Sequence, residues 1–101
     1  MSNHNAELAE STLINLFGQH DELAHLRVKK RGKTVTVYST DEHGDMQHVR
    51  FKLVDGLTWT TEFPTHRERW EKTPFTGSIK ELAEQVITDF SWALANPHAA
   101  S

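Results

Sequence analysis

Apolar residues recur with helical spacing near both ends of the chain. The first set predicts an amphipathic helix over 6–17, with Gly18 where a helix commonly ends. Its apolar stripe consists of Ala6, Ala9, Leu13, Leu16 and Phe17. Near the other end, Ser78 and Glu81 have the spacing of a capping box, which marks the start of a second helix. Asn96-Pro97 ends that helix, whose apolar stripe consists of Ile79, Leu82, Ala83, Val86, Phe90 and Leu94.

Between the helices the apolar period changes to two, which predicts four antiparallel strands in a meander. One hairpin turns at Arg31-Gly32, a polar loop follows over 41–45, and a second hairpin turns near Asp55-Gly56. The pattern predicts an α+β fold of two layers, α-β-β-β-β-α, with both helices on one face of the four-stranded sheet. We expect a single domain over 1–101 with flexible residues at 1–5 and 96–101.

The register of the hairpins follows from keeping the apolar side chains on one face. A two-residue loop at Asp55-Gly56 would place Lys52 beside Trp59, so we predict a three-residue loop with a left-handed Gly56. The predicted pairs are Leu53–Leu57, Phe51–Trp59 and Val49–Thr61 in this hairpin, Val28–Val35 in the first hairpin, and Val37–Val49 between the two.

These registers leave polar residues on the other face of the sheet. A loose square of cations with threonines between them is predicted from Arg27, Lys29, Arg50 and Lys52. A further row is predicted from His25, Tyr38, His48 and Glu62. Such a face could recognise a phosphate backbone or an acidic protein. The structural alternative is a solvated sheet face, on which lysine and threonine are favoured residues.

Composition and charge narrow the classes of function. The chain of 101 residues has a net charge of −3, which disfavours a general nucleic-acid binder, and it has no cysteine for disulfides or catalysis. Its histidines lack metal-binding spacing, no catalytic or phosphate-binding motif is present, and no cofactor is implied. The lack of catalytic motifs predicts a protein without enzymatic activity. The N-terminus lacks a signal-peptide core and no apolar run reaches membrane-spanning length, so we expect a cytoplasmic protein.

Residues 64–77 are predicted to be a long connection with basic and titratable side chains around Trp70. These side chains are His66, Arg67 and Arg69. In one interpretation Trp70 folds back with Phe63 and Phe75 as a plug over the open end of the core, because a long connection needs anchors. In the other, the ring and its arginines are exposed and belong to an interface.

Residues 66–94, HRERWEKTPFTGSIKELAEQVITDFSWAL, resemble a segment of small uncharacterised bacterial proteins. In those proteins an R-W-E-x-T-P-F-x-G run leads into an amphipathic helix that ends F-x-W-x-L. The matching residues here are Arg69, Trp70, Glu71, Thr73, Pro74, Phe75, Gly77, Phe90, Trp92 and Leu94. The resemblance implies a bacterial stand-alone domain and supplies no activity, cofactor or substrate.

The sequence therefore predicts a non-enzymatic binding module whose partner is another protein or a second copy of the chain. One candidate surface is the basic sheet face, with Arg27, Lys29, Tyr38, Arg50 and Lys52. The other is the 64–77 connection, with His66, Arg67, Arg69 and Trp70. Nucleic-acid binding through the sheet face is the alternative, although Tyr38 is the sole aromatic residue predicted there for stacking on bases.

Overall fold

The computed structural model describes residues 4–56, 58–65 and 69–94. The helices are α1 (His4–Gly18), α2 (Ile79–Asp89) and α3 (Ser91–Leu94), and a short 3₁₀ helix spans Asp21–Leu23. The strands are β1 (Arg27–Arg31), β2 (Thr34–Asp41), β3 (Gly44–Asp55), β4 (Thr58–Pro64) and β5 (Trp70–Gly77). All five strands form one antiparallel sheet in the order β1-β2-β3-β4-β5. The α+β class and the antiparallel meander are confirmed.

The fifth strand is a correction, because the sequence predicts a long connection where β5 lies. Strand β5 lacks an alternating apolar pattern, and its pairing with β4 shifts register between Thr60 and Glu62, across from the segment that holds Pro74. Side chains supply hydrogen bonds at this irregularity. Thr73 Oγ1 donates to the Thr61 carbonyl at 2.7 Å, and Thr60 Oγ1 donates to the Phe75 carbonyl at 3.0 Å. Because β5 is an irregular edge strand that contains a proline, its sequence does not show the apolar alternation from which strands are predicted.

One apolar core joins the helices to one face of the sheet. Its buried members are Ala9, Leu13, Phe17, Leu23, Val35, Val37, Val49, Phe51, Trp59, Leu82, Ala83, Val86 and Leu94. Each large side chain among them stabilises the fold by about 1.5–3 kcal/mol through removal from water. The helical stripes predicted around Leu13 and Val86 are therefore the ones that are buried, and Trp59 is in the core as predicted.

Both predicted hairpin registers are wrong by two residues, while the side chains of the paired residues named here keep their predicted faces. Val28 pairs with Val37 rather than Val35, and the turn falls at Gly32-Lys33 with Gly32 at φ 60°. In the second hairpin Leu53, rather than Phe51, pairs with Trp59. A shift of two residues conserves the alternation of faces, so the apolar pattern does not distinguish the two registers.

Other parts of the second hairpin agree with prediction. Lys52 pairs with Thr60 on the face opposite Trp59, and Gly56 is left-handed at φ 46°. The observed register pairs Phe51 with Thr61, so the predicted Val49–Thr61 pair is wrong. The predicted partner of Leu53, Leu57, lies outside the described residues.

Strands β2 and β3 pair Val37 with Val49, as predicted, and then shift register by one residue. Beyond the shift, Tyr38 faces Gln47, and the strands continue to Asp41 and Gly44, so the predicted 41–45 loop is only a tight turn. A shift of one residue reverses the faces of the residues beyond it, and this displaces His48 to the helix side of the sheet.

The C-terminal helical region begins as predicted and ends differently. The Glu81 backbone N–H donates to Ser78 Oγ at 3.2 Å, and the Ser78 N–H donates to Glu81 Oε1 at 3.2 Å, which confirms the capping box. These hydrogen bonds from Ser78, first of all the backbone one, lower the pKa of Glu81. Phe90, at φ −128° and ψ 38°, interrupts the predicted helix, and α3 follows as a separate short helix. Asn96-Pro97 lies outside the described residues.

Candidate binding face of the sheet

The face of the sheet turned away from the helices, here called the outer face, carries two complete cross-strand rows. One row consists of Arg31, Thr34, Lys52, Thr60 and Thr76. The next consists of Lys29, Thr36, Arg50, Glu62 and Lys72. Arg27 pairs with Tyr38 beyond the second row. All five residues predicted for the basic sheet face therefore lie on the outer face, although in rows that differ from the predicted ones.

An ion pair covered by an aromatic ring forms the centre of the outer face. Arg50 Nε donates to Glu62 Oε1 at 2.5 Å, and the Glu62 side chain is 1% exposed. The Arg50 guanidinium carbon lies 4.4 Å from the centre of the Trp70 ring, the geometry of a cation–π contact. Arg50 is thus committed to a buried carboxylate and is not a free member of the predicted square of cations.

The position of Trp70 contradicts its predicted role as a plug of the core. Trp70 pairs with Pro64 at the start of β5 and lies half-buried over Arg50, on the outer face. Phe63 and Phe75 are on the helix side, where each packs against Phe90 with ring centres 5.5 Å apart. The sequence could not separate these aromatic residues, because the faces of β5 depend on a register shift.

The second aromatic side chain of the outer face also has a cation above it. Lys29 Nζ lies 5.0 Å from the centre of the half-buried Tyr38 ring. Between the aromatic and charged residues, Thr36 and Thr60 are buried. Because threonine side chains are short, they do not project between the cations, and a partner can contact both the aromatic rings and the charged groups.

Charge is distributed unevenly over the molecule. Six of the eleven lysines and arginines of the chain lie on the outer face, within the part of the chain that the structure describes: Arg27, Lys29, Arg31, Arg50, Lys52 and Lys72. The acidic residues of α1 and α2 are Glu7, Glu10, Glu81, Glu84 and Asp89. The net charge of −3 is therefore the sum over a basic sheet face and an acidic helical side.

The predicted 64–77 surface is only partly accessible to description. His66 and Arg67 lie outside the described residues. The exposed Arg69 closes a small turn, because its carbonyl accepts from the Thr65 N–H at 2.7 Å and its N–H donates to Thr65 Oγ1 at 3.3 Å. Of the four residues predicted there, Trp70 is the one that the structure places on the outer face.

Two histidines predicted for the outer face instead fasten α3 on the helix side. His48 is 3% exposed and bonds the Ala93 carbonyl through Nδ1 and Ser39 Oγ through Nε2, both at 2.8 Å. His25 Nε2 donates to the Leu94 carbonyl at 2.8 Å, and the two imidazole rings are 5.9 Å apart. The Ala93 carbonyl can only accept, so neutral His48 carries its proton on Nδ1 and accepts from Ser39.

The Ser39–His48 pair resembles a nucleophile beside its base, but its burial gives it a structural role. Ser39 and His48 are both buried, and His48 is also bonded to Ala93 of α3, so little of either side chain is open to the approach of a substrate. Burial is the main cause that lowers the pKa of His48, partly opposed by the bond to Ala93, and His25 lowers it further. No sequence pattern could have revealed this cluster, because it depends on the one-residue register shift in β3.

The fold and this face define an α+β domain with a five-stranded antiparallel sheet whose outer face is basic. Comparisons of the chain with protein-family models, curated proteins and solved structures found no match. Within the described residues, no three His, Asp or Glu side chains are grouped so that they could hold a metal ion. None of the described helices has the length and apolar character needed to cross a membrane.

Proposed function

We propose that this protein is a cytoplasmic, non-enzymatic binding module that takes an acidic protein partner on its outer face. The observation that carries the proposal is the concentration of five cations around the Arg50–Glu62 pair on one face of a protein whose net charge is −3. A surface of one sign attracts partners of the opposite sign and speeds their association. The resemblance of 66–94 to small bacterial proteins is compatible with a stand-alone adaptor of this kind.

The spacing of the cations suits carboxylates presented by a folded or extended chain. Arg31 and Lys52 flank Thr34 from strands two positions apart, which separates their backbones by about 10 Å. In the next row Lys29 lies beside Thr36, while Arg50, on the other side of Thr36, is already bonded to Glu62. A partner with acidic groups at similar intervals would engage several cations at once without changing the sheet.

The aromatic centre would supply contact energy that charge alone does not. Tryptophan, tyrosine and arginine are the residues most often found where binding energy concentrates. Here Trp70 is held against Arg50, and Tyr38 lies under Lys29. Because these side chains are already ordered by their contacts, binding would immobilise little that was free before.

Self-association through this face is disfavoured by its charge. A two-fold dimer would set the same cations of both copies against each other. Contact between the basic outer face of one copy and the acidic helices of the next would be heterologous and would leave a free face at each end. A different protein with an acidic surface is therefore the partner that fits.

Single-stranded nucleic acid is a second candidate, favoured by one specific observation. Trp70 joins Tyr38 on the outer face, so the face carries two aromatic rings among cations where the sequence predicted one. Open sheets that bind single strands combine aromatic rings with basic side chains.

Binding measured by fluorescence anisotropy at low salt tests both candidates, with labelled polyglutamate and labelled single-stranded oligothymidine as probes. We expect polyglutamate to bind, and the K29E/K52E double variant to weaken binding by about tenfold or more, since two favourable charges become unfavourable. The matched control is K80E on α2, which makes the same kind of charge change on the helical side.

The outcomes separate the candidates. Preference for oligothymidine, with loss of binding in Trp70→Ala, would establish the nucleic-acid candidate in place of the protein partner. Equal effects of K29E/K52E and K80E, or no binding of either probe, would overturn the proposal that the outer face binds anions.

A further inference from the structure

The free edge of β1 is the more regular of the two edges of the sheet. Strand β1 pairs with β2 from Arg27 to Arg31 without a register shift, and no described residue pairs with its other side. The opposite edge, β5, contains Pro74 and a register shift. Because proline and irregular pairing block the addition of a strand, β1 is the edge that an extended peptide can join.

An apolar cavity opens beside this edge on the helix side. Its volume is about 300 Å³. Its lining includes Ile14, Phe17, Gly18, Leu23, Leu26 and Val28. Ile14 is a large apolar side chain that is more than half exposed. The residues of β1 that line the cavity are Arg27 and Val28, so the cavity lies beside the first half of the strand. Further along β1, Lys30 Nζ bonds Glu7 Oε1 at 3.2 Å and bridges β1 to α1.

The two faces at this edge differ in chemistry. Successive side chains of a strand point to opposite faces, so a strand beside β1 would direct alternate side chains toward the cavity and toward the outer face. On the outer face it would meet Arg27, Lys29 and Arg31. We infer that the β1 edge binds an extended peptide of alternating acidic and apolar residues as a sixth strand, with one apolar side chain in the cavity.

The charge of β1 selects this occupant over a second copy of the chain. Two β1 strands side by side would bring like charges into direct opposition, which destabilises strand pairing. An acidic strand meets the same cations favourably. The acidic residues of the peptide are inferred from Arg27 and Lys29, which belong to the outer face, so this part of the inference rests on the proposed function. The apolar residue of the peptide is inferred from the cavity alone.

Anisotropy with a labelled, capped peptide in which glutamate alternates with valine and leucine tests the inference. We expect the peptide with serine at the apolar positions to bind about tenfold more weakly or worse, since it cannot fill the cavity. In an extended peptide, alternate backbone N–H groups point toward β1 and away from it. N-methylation of the peptide residues whose N–H groups face β1 should therefore abolish binding, while N-methylation of the other alternate residues should be tolerated.

Two protein variants locate the site. In Gly18→Leu, the added Cβ meets nothing within 4 Å and the backbone needs no positive φ, so the variant should fold and fill the cavity. It should weaken binding by about tenfold. Lys80→Ala is the control, because the exposed Lys80 on α2 neither lines the cavity nor belongs to the outer face.

The results distinguish the inference from the proposed function. If Gly18→Leu and both methylated peptides bind as the parents do, while K29E/K52E weakens polyglutamate binding, the edge inference is overturned and the outer face stands. Binding of octanoate in the cavity without binding of the peptide would also overturn it, in favour of a small-ligand site. If neither the peptide nor polyglutamate binds, both proposals fail.

Discussion

Strands β4 and β5 contribute aromatic side chains to both faces of the sheet, and the clusters around these side chains are built on different principles. On the helix side, Phe63, Phe75 and Phe90 pack ring against ring beside the core. On the outer face, Trp70 covers Arg50, which is bonded to the buried Glu62. The first cluster gains from contact area and should tolerate apolar substitution. The second depends on pairing, because a buried carboxylate without its cation is strongly unfavourable.

The largest effect expected from this comparison comes from separating the outer pair. Arg50→Ala leaves Glu62 buried without its partner and should lower the free energy of unfolding by about 3–5 kcal/mol. Urea denaturation followed by circular dichroism measures the change. The double variant Arg50→Met/Glu62→Leu removes both charges and should recover most of the stability. A double variant as unstable as Arg50→Ala would show that the pair itself, rather than the orphaned charge, stabilises this face.

A smaller effect is expected on the helix side. Phe90 is half-buried between Phe63 and Phe75, so Phe90→Ala should cost about 2 kcal/mol through lost packing. The neighbouring Trp92 is 67% exposed, and Trp92→Ala serves as the control, with an expected cost below about 1 kcal/mol. Thermal unfolding of both variants measures the difference. A cost of Trp92→Ala equal to that of Phe90→Ala would contradict the packing assigned to this cluster.

A third prediction concerns a polar atom on the apolar side. Thr61 is 0% exposed in the core, opposite Phe51, and its Oγ1 has no hydrogen-bond partner within the described structure. Valine has nearly the same shape without the hydroxyl, so Thr61→Val should raise the free energy of unfolding by about 1 kcal/mol. Thr60→Val is the matched control and should destabilise, because Thr60 Oγ1 donates to the Phe75 carbonyl. Stabilisation by both substitutions, or by neither, would contradict the hydrogen bonding assigned to β4.

The comparison also shows which parts of this molecule can be predicted from its sequence. Helix stripes and strand faces follow from periodicity, and Arg27, Lys29 and Lys52 lie on the predicted face even though the hairpin register differs by two residues. A two-residue slip preserves every face, so periodicity carries no information about it. The face of His48, by contrast, depends on a single-residue shift that no pattern marks.

The centre of the outer face was beyond sequence prediction for a related reason. Trp70 and Arg50 are 20 positions apart in the sequence, and their contact requires β5, an edge strand with a proline and irregular pairing. Without that strand, the ring of Trp70 has no assigned face. The two residues predicted separately, one for the sheet face and one for a loop, therefore belong to a single cluster.

The smallest effect we expect is a pH dependence from the buried His48 on the helix side. Burial lowers the pKa of His48 below its ordinary value of 6.5, so folding favours its neutral form. The resulting stability is fully present above about pH 6.5, the value for the unfolded chain, and is lost as pH falls through the lowered pKa of the folded state. The free energy of unfolding at pH 5.5 should thus be lower than at pH 7.5.

In His48→Gln, which has no imidazole to protonate at this position, the difference in unfolding free energy between the two pH values should shrink. An undiminished difference in His48→Gln would show that the pH dependence does not come from the buried His48 that holds α3.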